Sequence, residues 1–190
     1  MNAESYQFVR KIQGQVGTWS TENFGAQDSK QVEGLVLGPL APLMGICEEV
    51  GELFEANQPN GDGEAVFDAV GDIGIYLCDY AARRDIDLAT IWETNSDGVT
   101  YDNPFRGLVT NVGKLQRANL KHHQAIREHD ANKFVAAEAA AIKGLLDSLQ
   151  AVAKMSLKSE FADVLSTVFV RVVKPRDWVN APVDGSTDKE

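Results

Sequence analysis

Two cysteines, six prolines and three histidines are all that the 190 residues contain of these types, and each scarcity removes a class of protein. Two thiols are too few to staple a small secreted scaffold. Cys47 and Cys78 both fall in apolar helical patterns, so they read as buried free thiols of a reducing compartment. Histidines are equally poor candidates for zinc, because His122 and His123 are adjacent and cannot share a helix face. Cations are outnumbered, with 18 Lys and Arg against 28 Asp and Glu and a net charge of −10. A nucleic-acid polymer or an anionic membrane surface would be repelled as a standing partner. No apolar run reaches the ~20 residues of a membrane span, and no charged-then-apolar leader is visible, so a cytoplasmic location is the expectation.

What is abundant is apolar content at helical spacing. A chain of this length with 44% hydrophobic residues can bury one sizeable core. Phe8, Val9, Ile12, Val16 and Trp19 predict a helix over 6–24, with Gly25 as its stop. Residues 26–34 read as loop, and Pro39 and Pro42 favour a helix start near Pro42. Ile86, Leu88, Ile91 and Trp92 predict a short helix capped by Asp85 or Asp87 and ended by Asn95-Ser96-Asp97-Gly98. Residues 99–106, with Asn103-Pro104, read as loop. A helix over 108–127 follows, turning Leu108, Val112, Leu115 and Leu120 inward and Lys114, Arg117, Lys121, His122 and Arg127 outward. An alanine-rich helix covers 134–155, and a last one, capped by Ser156 or Ser159, runs through Phe161, Val164, Leu165, Val168 and Val172. The expectation is a single all-α domain over 1–180, an antiparallel helical bundle with halves 1–98 and 107–178, and a flexible tail over 181–190.

The bundle is built around the acidic stretch 45–80. Gln58 to Gly63 breaks it, since Pro59 cannot continue a helix and the glycines allow a turn, so the two helices return antiparallel. The first carries Glu48, Glu49 and Glu52, and the second Asp68 and Asp72. Spacings of three and four put Glu49 with Glu52, and Asp68 with Asp72, on one face of each helix. Asp68 and Asp72 sit among Val66, Phe67, Val70, Ile73 and Ile75, where a buried unpaired carboxylate costs several kcal/mol or loses its charge. Facing carboxylates repel unless cations fill the gap, and hard oxygen ligands suit Mg²⁺ or Mn²⁺. Taken singly, Glu48, Glu49, Glu55 and Glu64 read as a solvated helix face, and it is the pairs that point to a site.

The second half carries an echo of the first. Val50-Gly51-Glu52-Leu53-Phe54-Glu55-Ala56-Asn57 lines up with Val112-Gly113-Lys114-Leu115-Gln116-Arg117-Ala118-Asn119, with Val, Gly, Leu, Ala and Asn shared. Two readings stay open: a degenerate copy of the hairpin in which Lys114 replaced a carboxylate, or coincidence between two amphipathic helices.

Glu48-Glu49-Val50-Gly51-Glu52-Leu53 followed by Asp68-Ala69-Val70-Gly71-Asp72-Ile73 resembles the Glu-Glu-x-x-Glu and Glu-x-x-Asp pattern of the MazG-like, all-α nucleoside triphosphate pyrophosphohydrolases. Val16-Gly17-Thr18-Trp19 to Phe24-Gly25 is similar to the helix that precedes the motif in that superfamily. The resemblance implies Mg²⁺-dependent cleavage of a (deoxy)nucleoside triphosphate to the monophosphate and pyrophosphate. It implies Glu49, Glu52 and Asp72 as metal ligands, with Glu48 orienting a ligand or the attacking water. Ala69 departs from the pattern where Glu is expected, and Asp68, one residue earlier, is the substitute ligand. Lys121 and Arg127 are the candidate phosphate contacts, Asn95 a pocket asparagine and Trp19 a stacking surface for the base. A homodimer or higher homo-oligomer is implied as well. The rival expectations are a non-catalytic nucleotide-binding or metal-binding module, and a hydrolase of another nucleotide phosphoanhydride.

Overall fold

The computed structural model describes residues 3–25, 37–59, 61–93, 102–124 and 131–172. They form α1 (Ala3–Phe24), α2 (Leu40–Ala56), α3 (Gly63–Arg83), α4 (Leu88–Glu93), α5 (Pro104–Gln124), α6 (Ala131–Val152) and α7 (Phe161–Val172). A π-helical turn, Ala153–Leu157, joins the last two, and no strand occurs among the described residues. The all-α expectation is met.

Side-chain size at a few positions sets how the helices lie. A Cβ on Gly45 would stand 2.5 Å from the Tyr76 ring, so the start of α2 meets the end of α3 and the pair is antiparallel. Their connection is a tight turn in which Gly61 N–H donates to the Gln58 carbonyl at 2.8 Å and Asp62 caps α3 through Glu64 N–H at 2.9 Å. Another face of α3 takes α7, where a Cβ on Gly71 would lie 2.2 Å from Val168 and one on Gly74 would lie 2.8 Å from Phe161. Gly17 lets α1 approach α3, since a Cβ there would be 2.7 Å from that of Ala82. In the second antiparallel pair, α5–α6, His122 stacks on Phe134 at 4.2 Å and the Asn111 side chain lies on Gly144.

The pairs α2–α3 and α5–α6 share one core, in which Ile46, Leu53, Ile73 and Leu77 meet Leu108, Leu115, Ile142 and Leu145. Burial of such side chains, each about 1.5–3 kcal/mol, drives the assembly. A polar joint ties the hairpins at one end. The Tyr80 hydroxyl donates to Glu138, Asn119 Nδ2 donates to Tyr80 Oη at 2.7 Å, and Arg84 Nε donates to Glu138 Oε1 at 2.9 Å. Glu138 is only 2% exposed, so the bonds from Tyr80 and Arg84 are what make its charge tolerable there.

Several local expectations are corrected. α5 begins at Pro104, inside the expected loop, because Asn103 Oδ1 accepts from Phe105 N–H at 2.9 Å and leaves proline at the first helical position, where its missing N–H costs nothing. Asp87 caps α4 by accepting from Ala89 N–H, whereas Asp85 adopts a left-handed φ of 54°. The first amide of α7 is satisfied by Gln150 Oε1 of α6 at 3.1 Å, not by Ser156 or Ser159. Leu120, expected inward, is 54% exposed. Asn95, Arg127 and the tail 181–190 lie outside the described residues.

Candidate carboxylate site

The register of α2 against α3 decides which acids can act together. Because Gly45 meets Tyr76, stepping four residues down α2 and four back along α3 brings Glu49 level with Asp72. Both are half-buried and both have partners. Glu52, one turn on, comes level with Ala69, the position at which the acidic pattern is interrupted. Ala69 is buried, so a carboxylate there would enter the core. Glu48 and Glu52 are exposed.

Asp68 has a different neighbour from the one expected. Arg171, in the last turn of α7, donates through Nη1 to Asp68 and through Nη2 to Glu64 Oε1 at 2.9 Å, and its guanidinium lies 5.7 Å from the centre of the Phe67 ring. Partial burial pushes the Asp68 carboxyl up from its ordinary value, Arg171 pulls it down, and Glu64 and Asp62 push it up again. Asp68 and Glu64 therefore take their cation from α7. The expected basic face on α5 is present, with Lys114, Arg117 and Lys121 exposed, and Lys114 Nζ is 3.5 Å from Asn111 Oδ1.

Among the described residues no group of three or more His, Cys, Asp or Glu side chains is placed to hold a metal ion. The donors that Glu49, Glu52, Asp68 and Asp72 could offer are all oxygen, the chemistry that suits Mg²⁺, which keeps much of its water and is held by one or two carboxylates together with substrate phosphates.

An open groove of about 570 Å³ lies between α1 and the second half of α3, lined by Gly14, Thr18, Glu22, Asp79, Ala82 and Arg83 among others. Asp79 lies seven residues beyond Asp72, two turns and ~10 Å along the same edge of α3, so the acidic edge leads into the groove. Its size falls in the ~300–1,000 Å³ range of small-ligand sites. Arg83 is fixed at its rim by Asp79, which accepts from Nη2 at 2.9 Å, by Ser20 Oγ at 2.9 Å and by the Gly38 carbonyl at 3.0 Å. The groove was not legible beforehand. The small residues of α1 were the signal, but a helical glycine can equally mark a bend.

Trp19 is half-buried on α1 and meets Phe24 edge-on at 5.5 Å, outside the groove lining. Lys121 is exposed near the end of α5. Cys47 and Cys78 are free, the first half-buried and the second buried. No described helix is long and apolar enough to cross a membrane.

Comparison with protein-family models, with curated proteins and with solved structures finds no match to this chain.

Proposed function

We propose that this protein is a Mg²⁺-dependent nucleoside triphosphate pyrophosphohydrolase, cleaving the substrate to the monophosphate and pyrophosphate. The observation that carries the reading is the level placement of Glu49 and Asp72 across an antiparallel hairpin, with Glu52 one turn away. Half-buried carboxylates at the same level of two adjacent helices offer the oxygen donors that a hard cation takes. The ion, which Mn²⁺ can replace, supplies neutralisation of phosphate charge and activation of a water.

The chain's own groups do the rest. Glu49 and Asp72 would hold the ion at mid-hairpin, where it would meet the phosphate end of the substrate, and Glu52 would add a third carboxylate from the exposed side. Glu48, exposed and next to Glu49, orients the attacking water by accepting its hydrogen bond. Asp68 and Glu64 fix the Arg171 guanidinium beside the acids, where it offers its remaining N–H donors to a phosphate oxygen. The groove between α1 and α3 takes the nucleoside, at the distance that two helical turns provide.

The test is a panel of canonical and modified nucleoside triphosphates with Mg²⁺ or Mn²⁺, read as pyrophosphate release from the wild type and from Glu52→Gln. At least one substrate should be turned over, and the variant should lose that activity with its helical spectrum intact. No release across the whole panel would leave the non-catalytic binding module in its place, and orthophosphate as the only product would point to a different phosphoanhydride.

A further inference from the structure

The hairpins α2–α3 and α5–α6 correspond over their whole lengths. The eight-residue match extends backwards to Gly45 with Gly107 and to Pro42 with Pro104, and the intervening pairs Leu43 with Phe105 and Ile46 with Leu108 are buried in both copies. Gly51 and Gly113 also share an environment, since a Cβ on either would meet nothing within 4 Å.

One contact in each hairpin then sets the register of the second helices. Tyr76 packs on Gly45, and Asn111 packs on Gly144. Stepping four residues along each helix from the Asn111–Gly144 contact brings Gly107 level with Ser148, so Ser148 is the counterpart of Tyr76 and Gly144 that of Asp72. Burial agrees with this register along one stripe: Val66, Ala69, Val70, Ile73, Leu77 and Tyr80 are buried in α3, and their counterparts Glu138, Ala141, Ile142, Leu145, Leu149 and Val152 are buried in α6. Gly71, Ile75, Cys78 and Asp79, on the faces that α7 and α1 cover, are buried where Lys143, Asp147, Gln150 and Ala151 are half-buried. Any two amphipathic helices agree in some register. Here the register is fixed by other contacts, and the small residues of α2 and α5 fall into the same alignment.

We infer that α5–α6 is a second copy of the acidic hairpin in which the carboxylate site has been sealed. Asn111 stands where Glu49 stands, Lys114 where Glu52 does and Gly144 where Asp72 does. The sealing is visible in the packing. Asn111 is buried, its amide fills the space over Gly144, where a Cβ would lie 2.5 Å from it, and Nδ2 donates to the Gly107 carbonyl at 2.9 Å. A neutral amide resting on a glycine offers a cation no negative charge, whereas Glu49 and Asp72 offer two. The chain thus carries one cation-binding hairpin and supplies from its own second half the apolar face that covers it, so the site is complete without a partner subunit.

The part concerning cations rests on the proposed function, and the correspondence of the hairpins does not. Mn²⁺ binding to the full chain, followed by the electron paramagnetic resonance signal of the free ion, tests both. Asn111→Glu, Lys114→Glu and Gly144→Asp are made together, since the aspartate needs space that Asn111 fills, and the triple variant should double the Mn²⁺ bound at saturation. The converse pair, Glu49→Asn with Asp72→Gly, should bind no Mn²⁺ yet unfold cooperatively, because it installs an arrangement the other hairpin already accommodates. A folded triple variant binding no more Mn²⁺ than the wild type overturns the inference. So does a converse variant that has lost cooperative unfolding, and this readout decides the matter if the triple variant does not fold. A wild type that binds no Mn²⁺ removes the metal reading alone, and the converse variant still decides the correspondence.

Discussion

The two halves of α3 treat charge in opposite ways. In the second half, Asp79 is held by Arg83, and Arg84 and Tyr80 both converge on Glu138, so each charge there has a matched neighbour. In the first half, Glu64 and Asp68 share an arginine from another helix, and Asp72 is half-buried on the edge next to α2. The side chains of Asp79 and Glu138 are 11% and 3% exposed, against 44% for Asp68. Buried charges that are fully matched hold helices together, and losing one partner strands the other. Half-exposed acids keep access to solvent and so remain open to a ligand under the proposed function.

Replacing one charge in each half would sharpen the contrast. Asp72→Asn should cost about three decades in kcat/KM for pyrophosphate release while leaving the thermal midpoint near that of the wild type, because it removes a ligand and little packing. Turnover at the wild-type rate would put Asp72 among ordinary surface acids. Glu138→Ala should do the reverse, lowering stability by ~3–5 kcal/mol in urea unfolding through the stranded Arg84 and Tyr80, with any remaining folded enzyme still active. A loss below about 1 kcal/mol would remove the structural reading of that end.

Alkaline pH probes the second half without mutation. Burial pushes the Cys78 thiol from 9.0 up to about 12, with Asp79 adding to the rise. Burial also raises the Tyr80 hydroxyl, as does the Glu138 carboxylate that accepts its hydrogen bond. The fold favours both protonated forms, so their contribution is complete below the unfolded values and is lost as pH rises towards the folded ones. The thermal midpoint should hold up to about pH 9 and then fall, and Cys78→Ala should flatten the first part of that decline. An unchanged profile in the variant would exclude the thiol as a contributor.

The smallest effect belongs to Arg171. Arg171→Met breaks a pair that is nearly half-exposed on both sides, so stability should change by ~1 kcal/mol or less. Removing a cation next to the acids should at the same time tighten Mn²⁺ binding severalfold, since the ion no longer competes with a guanidinium. Weaker Mn²⁺ binding in the variant would show that Arg171 organises Asp68 for the cation.

Much of the fold was legible in advance because helical periodicity is a local signal. The strong repeats of α1, α3, α6 and α7 predicted those helices, and Pro59 with its neighbours predicted the turn of the acidic hairpin. Boundaries went astray where a short-range contact had two readings. Asn103-Pro104 can be a loop or a cap followed by a first helical residue, and only the bond from Phe105 N–H to Asn103 settles it. The neighbour of Asp68 was not legible for a longer-range reason. Its spacing to Asp72 suggested a shared role, but the arginine that engages it is 103 residues away in the sequence.

The sequence alone determined the composition of the site and the helices that carry it: an acidic first helix, an acidic second helix and a turn that makes them face each other. Periodicity and turn chemistry act within a few residues, so they can be read from neighbours. The tertiary structure decided which acids stand level, that Arg171 engages Asp68, and that Asn111 rests on Gly144. Those outcomes depend on where glycines let helices approach and on which chain segments, distant in sequence, fill the same space. No spacing rule within a single helix contains them.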